Sequence, residues 1–256
     1  IYLTQKNISN KIDKKLLNIT QGFIASDENN FNTTLGREGS DYSAAIYAYC
    51  LNAHSLTIWK DVPGFLNADP RVFDNPILLE SISYTEAIEL AFYGASVVHP
   101  KTLQPLQKKE IPLYVKSFLN PDGKGTTISR GIKIKPEIPC FIVKRNLILL
   151  KLSSLDFSFI VEENISEIFQ LLHNNKMKVD LIQNSAISFS VCVYDKFNRI
   201  NELLSTLKGA FKVEYIENVN LFTIRHFNQR SCDEILKNNK LILEQRTEDV
   251  IHLVVK

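Results

Sequence analysis

TTLGREGSDYSAA, the stretch at residues 33–45, decides the fold of this chain. Gly36 and Gly39 bracket the cationic Arg37 in a tight loop, and the apolar, alanine-rich run at residues 42–51 predicts a helix. A glycine loop that leads into a helix N-terminus is typical of an anion site, because unpaired backbone N–H groups and the positive end of the helix dipole converge there. Taken alone, the stretch favours a plainer interpretation, a turn followed by a capped helix.

Composition indicates an ordinary soluble protein with more than one domain. The 256 residues are 45% hydrophobic and 23% charged, which is enough to bury a sizeable core. The net charge is +2 and the lysines are scattered among acidic residues, so we expect no nucleic-acid partner. No apolar run approaches the ~20 residues that span a bilayer, and no signal peptide is visible, so we expect no membrane partner.

The cysteines and histidines indicate neither a disulfide framework nor a metal site. The four cysteines lie far apart without Cys-x-x-Cys spacing, and the five histidines form no pair spaced as metal ligands. Free cysteines in this pattern are typical of a reducing compartment, so we expect a cytoplasmic protein.

The first half of the chain predicts alternating strands and helices. Ser40 or Asp41 is the expected N-cap of the helix after the glycine loop. Ser83 and Glu86 have the spacing of a capping box, and Gly94 is the expected end of the helix that they begin. The other expected elements are a short buried strand at 17–20, a hairpin at 26–34, a central strand at 55–59 covered on both faces, a helix at 100–108, a strand at 111–117 and a closing loop at 120–127.

Charged residues follow the strand expected at 55–59. Lys60 and Asp61 come directly after it, and Arg71 comes after a proline turn. Ligands of open α/β sheets collect at the carboxyl ends of parallel strands, so we expect Lys60 and Asp61 where a nucleotide would lie. Arginine can fork onto phosphate oxygens, which lysine does less specifically. The plainer alternative is that Asp61 caps the turn and Lys60 is solvated.

The second half predicts the element order βαββαβ. Apolar residues recur with helical spacing from Ile165 to Leu172 and again from Ile200 to Leu207. The strands expected around these helices are at 147–152, 179–182, 187–193 and 213–216. A further set of elements is expected at 141–145, 221–227, 232–237 (a short helix), 241–244 and 250–255.

Three more stretches accompany the glycine loop: WKDVPG at 59–64, ADPR at 68–71 and GASVVHPKT at 94–102. Their order and distances resemble those of the aspartate kinases (aspartokinases). The resemblance runs from about residue 20 to the C-terminus and is close as far as Ser129. Four separate matches make it far more specific than the glycine loop alone.

The resemblance implies an α/β fold in which a partial amino-acid-kinase domain of three-layer αβα type precedes two α+β, ferredoxin-like ACT domains with the order βαββαβ. The implied boundaries are 1–130 for the nucleotide side of the kinase domain, 147–218 for the first ACT domain, and 137–146 plus 219–256 for the second. The second ACT domain lacks its closing helix, so one face of its sheet is expected to need cover. ACT sheets commonly pair, which implies a homodimer or a larger homo-oligomer.

The implied enzyme transfers the γ-phosphoryl group of ATP to the side-chain carboxylate of L-aspartate, giving 4-phospho-L-aspartate, the first step of lysine, threonine and methionine biosynthesis. Such a transfer depends on cations and helix N-termini that neutralise the two anions. Asp41 is implied as the catalytic aspartate, with Arg37 and Ser40 binding the substrate. Mg²⁺ is expected to be bridged mainly by ATP, without a dedicated set of protein ligands. The implied nucleotide-binding residues are Lys60, Asp61, Leu66, Arg71, Ser96 and Val97.

The chain departs from the pattern of the aspartate kinases at several of these positions. Glu38 stands where the family usually has glycine, which adds a negative charge beside Arg37. Leu66 stands in place of a tyrosine that commonly packs on the nucleotide, and Ser96 in place of a lysine that reaches the phosphates. The loss of that cation predicts weaker ATP binding.

The resemblance also implies a site for an amino-acid effector, lysine or threonine. In lysine-inhibited relatives the effector's carboxylate meets backbone N–H groups at the start of the first ACT helix. Here Glu162 and Glu163 occupy that approach and would repel a carboxylate, and Ala186 stands where an acidic contact is expected. A purely structural ACT pair therefore stays open as an alternative. The implied effector residues are Asp156, Val179, Asp180 and Ser185.

The chain begins at Ile1, without the opening glycine-lysine motif of the aspartate kinases, so we expect this fragment alone to be inactive. A non-catalytic, ACT-bearing regulatory subunit or amino-acid sensor is an alternative from another functional class. A kinase of the same fold that acts on glutamate, carbamate or a nucleotide is disfavoured by the Gly36-Arg37 loop and by the ACT pair.

Overall fold

The computed structural model describes residues 2–9, 11–13, 15–94, 97–156 and 158–256. The chain divides into two compact units that meet between Ile142 and Val143. The first unit is of αβα type and the second is an α+β unit, as the sequence predicted. None of the described helices is long and apolar enough to cross a bilayer.

The described elements of the first unit are, in chain order, α1 (Tyr2–Ser9), β1 (Ile24–Ser26), β2 (Asn32–Thr34), α2 (Gly39–Leu51), β3 (Leu56–Lys60), β4 (Ser81–Ser83), α3 (Tyr84–Tyr93), α4 (Pro100–Lys109), β5 (Leu113–Ser117) and β6 (Thr126–Ser129). The long strand β7 (Cys140–Ser153) contains the boundary. The described elements that follow it are α5 (Glu162–Asn174), β8 (Lys178–Asn184), β9 (Ser188–Tyr194), α6 (Ile200–Leu207), β10 (Lys212–Arg225), α7 (Gln229–Leu236), β11 (Leu241–Arg246) and β12 (Val250–Val255).

A mixed sheet forms the centre of the first unit. Its described strands follow the order β3-β5-β6-β4, with β3 parallel to β5, β5 antiparallel to β6, and β6 parallel to β4. Apolar side chains of the strands and of α2, α3 and α4 share one core, represented by Ile58, Leu113, Ala45, Leu90 and Leu103. Burial of this apolar surface, at roughly 25 cal/mol per Å², holds the helices against the sheet.

Helix ends and the hairpin confirm the local predictions for this unit. The Ser83 hydroxyl oxygen accepts the backbone N–H of Glu86 at 3.0 Å and caps α3. Gly94, with φ 133°, ends that helix, and Pro100 is the first residue of α4. The hairpin at 26–34 is formed by β1 and β2, which pair antiparallel.

Two strand predictions need correction. The prediction of a buried strand at 17–20 was wrong, because Leu17 and Ile19 are 89% and 90% exposed and no strand is assigned there. Four alternating residues form a strand only where neighbouring strands cover them. The strand expected at 55–59 exists as β3, but it lies at one end of the described sheet, and Trp59 is 48% exposed. An apolar run does not distinguish a central strand from an end strand.

The first unit extends beyond residue 130, where the sequence placed the end of the kinase part. The Lys135 backbone N–H donates to the Ser81 carbonyl at 2.9 Å, and the Asn67 side-chain amide donates to the Pro139 carbonyl at 3.0 Å. Ile138 packs against the core. These contacts carry the compact unit to Ile142.

The second unit is built on one sheet with the described order β11-β12-β10-β7-β9-β8. The pairs β7–β9, β8–β9, β10–β12 and β11–β12 are antiparallel. The predicted order βαββαβ is confirmed as β7-α5-β8-β9-α6-β10, and α7, β11 and β12 follow it.

The two faces of this sheet bury separate cores. Leu150 of β7 packs with Ile168 of α5 and Leu203 of α6. Its neighbour Leu149 points to the other face and packs with Leu221 of β10. Alternation along a strand produces this division.

The sheet of the second unit is curled. The side-chain amide of Gln245 on β11 donates to the backbone carbonyl of Ile182 on β8 at 3.3 Å. These strands stand at opposite ends of the strand order. The curl therefore brings the two ends of the sheet together and encloses the core that contains Leu149.

Candidate functional site

The glycine loop of the first unit ends in a helix N-terminus, as expected, but the helix has another cap. α2 begins at Gly39, and Glu38 is its N-cap residue, with φ 57° and no side-chain capping hydrogen bond. The prediction of Ser40 or Asp41 as N-cap was wrong, because the left-handed turn at Glu38 starts the helix earlier. Ser40 and Asp41 instead lie in the first turn, where backbone N–H groups favour anions.

The start of α2 is fastened to the segment before it. The backbone N–H of Phe23 donates to the Ser43 hydroxyl at 2.8 Å, and that hydroxyl donates to the Gly39 carbonyl at 2.9 Å. A Cβ atom on Gly39 would lie 2.8 Å from the Phe23 ring and 3.1 Å from the Leu35 Cβ. Residue 39 therefore has room only for glycine. The sequence analysis missed Ser43, although a serine on the buried face of an alanine-rich helix is a visible signal.

An ion pair joins the start of α2 to the end of β3. The Lys60 ammonium donates to the Asp41 carboxylate at 2.7 Å, and the two side chains are only 24% and 15% exposed. Partial burial strengthens such a pair relative to one in water. The pair fixes the Asp41 carboxylate at the helix N-terminus and a cation at the carboxyl end of a parallel strand.

Arg37, Ser40 and Asp61 complete this group of residues. Each has an exposed side chain, and within the described residues none of the three side chains makes a hydrogen bond or an ion pair. Arg37 precedes the helix by two residues, and Asp61 directly follows Lys60. The structure thus brings five of the predicted residues to one place, with two cations beside a helix N-terminus, an arrangement able to bind carboxylate or phosphate oxygens.

Leu66 and Val97, two of the remaining predicted nucleotide residues, have no described contact with this group. Leu66 is half-buried and forms a backbone bridge with Leu78. Val97 is half-buried against the core of the first unit. Ser96 lies outside the described residues, so its predicted role stays a prediction.

The guanidinium of Arg71 forks onto a carboxylate of its own loop, and its predicted contact with a nucleotide phosphate stays a prediction. Its Nε lies 3.0 Å from Oδ1 of Asp69, and its Nη2 lies 2.8 Å from Oδ2 of the same side chain. The Arg71 side chain is 86% exposed. Its guanidinium is therefore open to solvent and already shaped for a bidentate anion contact.

The loop that carries Leu66 and Arg71 is anchored by Gly64 and Thr126. The Thr126 hydroxyl accepts the Phe65 N–H at 2.8 Å and donates to the Leu79 carbonyl at 2.7 Å. Gly64 has φ 146°, and a Cβ atom there would lie 2.4 Å from the Thr126 hydroxyl. Both ends of the loop thus meet at one buried hydroxyl.

The predicted effector residues of the second unit have different surroundings. Asp156 is exposed, its carboxylate accepts the Ser158 N–H at 3.1 Å, and this hydrogen bonding lowers its pKa. Val179 is half-buried in the core beneath α5. The Ser185 hydroxyl lies 2.7 Å from that of Ser188. In the described part of the chain, no hydrogen bond or ion pair joins any two of the predicted effector side chains. The effector role of these residues stays a prediction.

Asp180 is turned inward at a β-bulge. The β8–β9 register shifts between Val179 and Leu181, so Asp180 is the extra residue. Its side chain is 3% exposed and accepts the Lys144 ammonium at 2.6 Å. Its carboxylate is therefore already paired inside the unit. The sequence analysis missed Lys144, since a lysine in a strand gives no signal of burial.

The described residues contain no group of three or more His, Cys, Asp or Glu side chains arranged to hold a metal ion.

Glu38 destabilises the folded chain relative to a glycine at the same position. It adopts left-handed backbone geometry, and its buried Oε2 has no hydrogen-bond partner among the described residues. We expect Glu38→Gly to raise the free energy of unfolding by about 1 kcal/mol, because relief of backbone strain and of carboxylate desolvation outweighs the added entropy of an unfolded glycine. Urea unfolding of the 256-residue chain checks this.

Asn75→Gly is the matched control, because Asn75 is also left-handed, at φ 54°, and asparagine tolerates that geometry. Its effect should be smaller. If the Glu38→Gly variant were no more stable than the wild type, the inference of strain at residue 38 would be contradicted.

Comparisons with known proteins show which proteins this chain is similar to. Residues 2–117 match the model of the Amino acid kinase family. Lysine-sensitive aspartokinase 3 of Escherichia coli (strain K12) is 39% identical over 173 residues, which are 68% of this chain and 38% of that protein. Bifunctional aspartokinase/homoserine dehydrogenase 1, chloroplastic, of Arabidopsis thaliana is 34% identical over 200 residues, 76% of this chain and 22% of that protein. The chain thus spans well under half the length of these curated relatives.

Solved structures are similar over nearly the whole chain. The crystal structure of E. coli aspartokinase III in complex with lysine and aspartate has a TM-score of 0.75 at 31% identity, over 93% of this chain and 56% of that chain. Aspartate kinase from Clostridium acetobutylicum has a TM-score of 0.79 at 23% identity, which shows the shared fold. The similarity to the E. coli structure therefore covers elements of both units of this chain.

Proposed function

We propose, from the match of residues 2–117 to the amino acid kinase family and from the aspartokinase relatives, that this chain is part of an aspartate kinase. The enzyme transfers the γ-phosphoryl group of ATP to the side-chain carboxylate of L-aspartate and yields 4-phospho-L-aspartate, the first step of lysine, threonine and methionine biosynthesis. The observation that carries the proposal is the 2.7 Å pair of Asp41 and Lys60, where a glycine-led helix meets the end of β3.

The substrate side of the site uses Arg37, Ser40 and the α2 N-terminus. The exposed guanidinium of Arg37 can take the α-carboxylate of aspartate through two parallel hydrogen bonds. Ser40 adds a hydroxyl, and the first backbone N–H groups of α2 favour the second anion. These groups bring two negatively charged reactants together, which is the main requirement of this transfer.

Lys60 is proposed to contact the transferring phosphoryl group. Its ammonium neutralises the negative charge that spreads over the phosphoryl oxygens in the transition state. Asp41 holds that ammonium in place through their 2.7 Å contact. Asp41 is thus the catalytic aspartate of the proposal.

ATP is proposed to lie along Asp61, Leu66, Arg71 and Val97, together with Ser96. The exposed guanidinium of Arg71 can move from the Asp69 carboxylate to a phosphate, since each offers two oxygens that accept parallel N–H hydrogen bonds. Mg²⁺ that accompanies ATP would supply charge neutralisation, and no dedicated set of protein ligands is proposed for it.

A pair of ACT domains is proposed at 147–218 and at 137–146 plus 219–256, in a cytoplasmic homo-oligomer; of these residues, 137–142 lie in the first compact unit and the others in the second. Support comes from the βαββαβ order of β7 to β10. An E. coli relative is named as lysine-sensitive, and its crystal structure is described as a complex with lysine and aspartate. Regulation by lysine or threonine is accordingly proposed for this protein.

A coupled assay for ADP release tests the activity. We expect the protein that joins these 256 residues to the preceding part of the kinase domain to release ADP with L-aspartate, and the 256 residues alone to release none. L-glutamate and carbamate serve as matched acceptors. Turnover with either, and not with aspartate, would contradict the proposal.

A further inference from the structure

Ser43 is a buried hydroxyl that joins two parts of the substrate side of the site. It lies on α2 and is 6% exposed. Its hydroxyl accepts the backbone N–H of Phe23 at 2.8 Å and donates to the Gly39 carbonyl at 2.9 Å. The hydroxyl thus serves as acceptor and as donor at once. A residue without it would leave the Phe23 N–H without this acceptor, in a partly buried position.

Phe23 is held on the other side of its backbone as well. Its carbonyl accepts the backbone N–H of Leu35 at 2.9 Å. Its φ of 73° is one that aromatic residues rarely adopt, and such geometry persists only where the surroundings impose it. The hydrogen bonds on both sides of Phe23, and the close approach of its ring to Gly39, supply those surroundings.

These hydrogen bonds form a bridge between the two ends of the glycine loop. Leu35 stands before the loop and Gly39 after it. The bridge runs from Leu35 through Phe23 and Ser43 to Gly39. The loop between the bridged ends carries Arg37. The bridge therefore fixes the backbone from which the Arg37 side chain extends.

The Arg37 side chain depends on this backbone for its position. It is exposed and, within the described residues, makes no hydrogen bond or ion pair of its own. A guanidinium that must meet a carboxylate with two parallel hydrogen bonds loses affinity when its backbone shifts by about 1 Å. The held segment also borders Ser40, since a Cβ atom on Gly22 would lie 3.2 Å from the Ser40 Cα. It thus adjoins both proposed substrate residues.

We propose that Ser43 is a positioning residue for L-aspartate, which acts through Phe23 on the loop that carries Arg37 and does not contact the substrate. The inference rests on the proposed kinase function. The α-carboxylate of aspartate takes no part in the transfer, so its contact with Arg37 is equally strong before and in the transition state. Weakening that contact raises the KM for aspartate and leaves kcat unchanged.

Steady-state kinetics of ADP release test the role of Ser43 in the protein that contains the whole kinase domain. Threonine and valine are the matched substitutions, because their side chains have nearly the same shape and only threonine keeps the hydroxyl. We expect the KM for L-aspartate to be about tenfold higher in Ser43→Val than in Ser43→Thr, with kcat and the KM for ATP unchanged. The added volume is common to both variants. Ser43→Ala, which adds no volume, should behave as Ser43→Val does.

Ser83→Ala is the control for stability. The Ser83 hydroxyl caps α3 in the same unit. Ser83 lies on β4, which stands at the opposite end of the described strand order from β3. Loss of this cap should lower the melting temperature, as Ser43→Ala does, but leave the KM for aspartate unchanged. A rise in KM found only at residue 43 is then not an effect of lower stability.

Three outcomes would overturn the inference and leave the proposed function standing, provided that the wild type phosphorylates aspartate. The first is an equal KM for aspartate in Ser43→Thr and Ser43→Val. The second is a rise in KM that Ser83→Ala shares in full. The third is a loss of kcat at unchanged KM. A wild type that phosphorylates no aspartate would overturn the proposed function, and this inference with it.

Discussion

Replacing Lys144 by methionine is expected to lower the free energy of unfolding of the second unit by about 3–5 kcal/mol. The substitution leaves the Asp180 carboxylate, 3% exposed, without the ammonium that lies 2.6 Å from it. A buried carboxylate that loses its counter-ion carries its full desolvation cost, whereas methionine keeps most of the apolar stem of lysine.

Two titratable groups whose pKa values respond to the charges of this pair are themselves buried. Burial, with the Asp180 charge, raises the pKa of the Cys192 thiol to about 12. Burial, with the Lys144 charge, lowers the pKa of His252 to about 4. His252 is thereby kept neutral at pH 7 in the wild-type chain.

Urea unfolding followed by two probes measures the effect. Trp59 is the chain's one tryptophan and lies in the first unit, so its fluorescence reports that unit alone. Hydrogen exchange of the β8 and β9 amides reports the second. We expect Lys144→Met to shift the second signal and not the first.

Two further variants separate the buried pair from surface charge. Lys178 also lies near Asp180, at 4.0 Å, but is 67% exposed, so Lys178→Met should cost less than about 1 kcal/mol. The double variant Lys144→Met with Asp180→Leu should regain most of the loss, because it removes both charges. Equal effects of Lys144→Met and Lys178→Met would contradict the account.

The second large effect concerns catalysis. In the protein that joins these residues to the rest of the kinase domain, Lys60→Met is expected to lower kcat by about 10²- to 10³-fold, the range found for loss of one group that stabilises transition-state charge. Asp41→Asn should have an effect of similar size, because it keeps the shape of the side chain but no longer holds the ammonium 2.7 Å away.

The ADP-release assay at saturating ATP and aspartate measures these changes. Lys124→Met is the matched control, because Lys124 is 84% exposed and its one ion pair among the described residues, with Glu80, is long at 3.9 Å. The kcat of this variant should equal that of the wild type. A double variant, Lys60→Met with Asp41→Asn, should lose no more than either single variant, because the two residues act as a unit. Lys60→Met with wild-type kcat would remove Lys60 from the site.

Much of the fold followed from local signals. Helices α3 and α4 begin and end where Ser83, Gly94 and Pro100 predict, because capping is decided by a few neighbouring residues. The βαββαβ order of the second unit followed from apolar periodicity. The strand expected at 17–20 failed, because burial depends on distant segments that periodicity does not contain.

The sequence predicted which residues belong to the candidate site better than it predicted the contacts between them. The resemblance to the aspartate kinases assigned Asp41 and Lys60 to the same site. It did not predict their ion pair, which depends on the meeting of α2 and β3. The cap at Glu38 was missed, because a left-handed turn at a non-glycine residue has no sequence signal. Asp180 was expected to be accessible, and one extra residue in a strand turned it inward.

The central claim is that the Asp41–Lys60 site phosphorylates the side-chain carboxylate of L-aspartate. Hydroxylamine converts an acyl phosphate into a stable hydroxamate, so it traps the product directly. With ATP, L-aspartate and the protein containing the whole kinase domain, we expect a hydroxamate at C4, formed far more slowly by Lys60→Met. ATP consumption without hydroxamate, or a hydroxamate formed at an equal rate by Lys60→Met, would contradict the account.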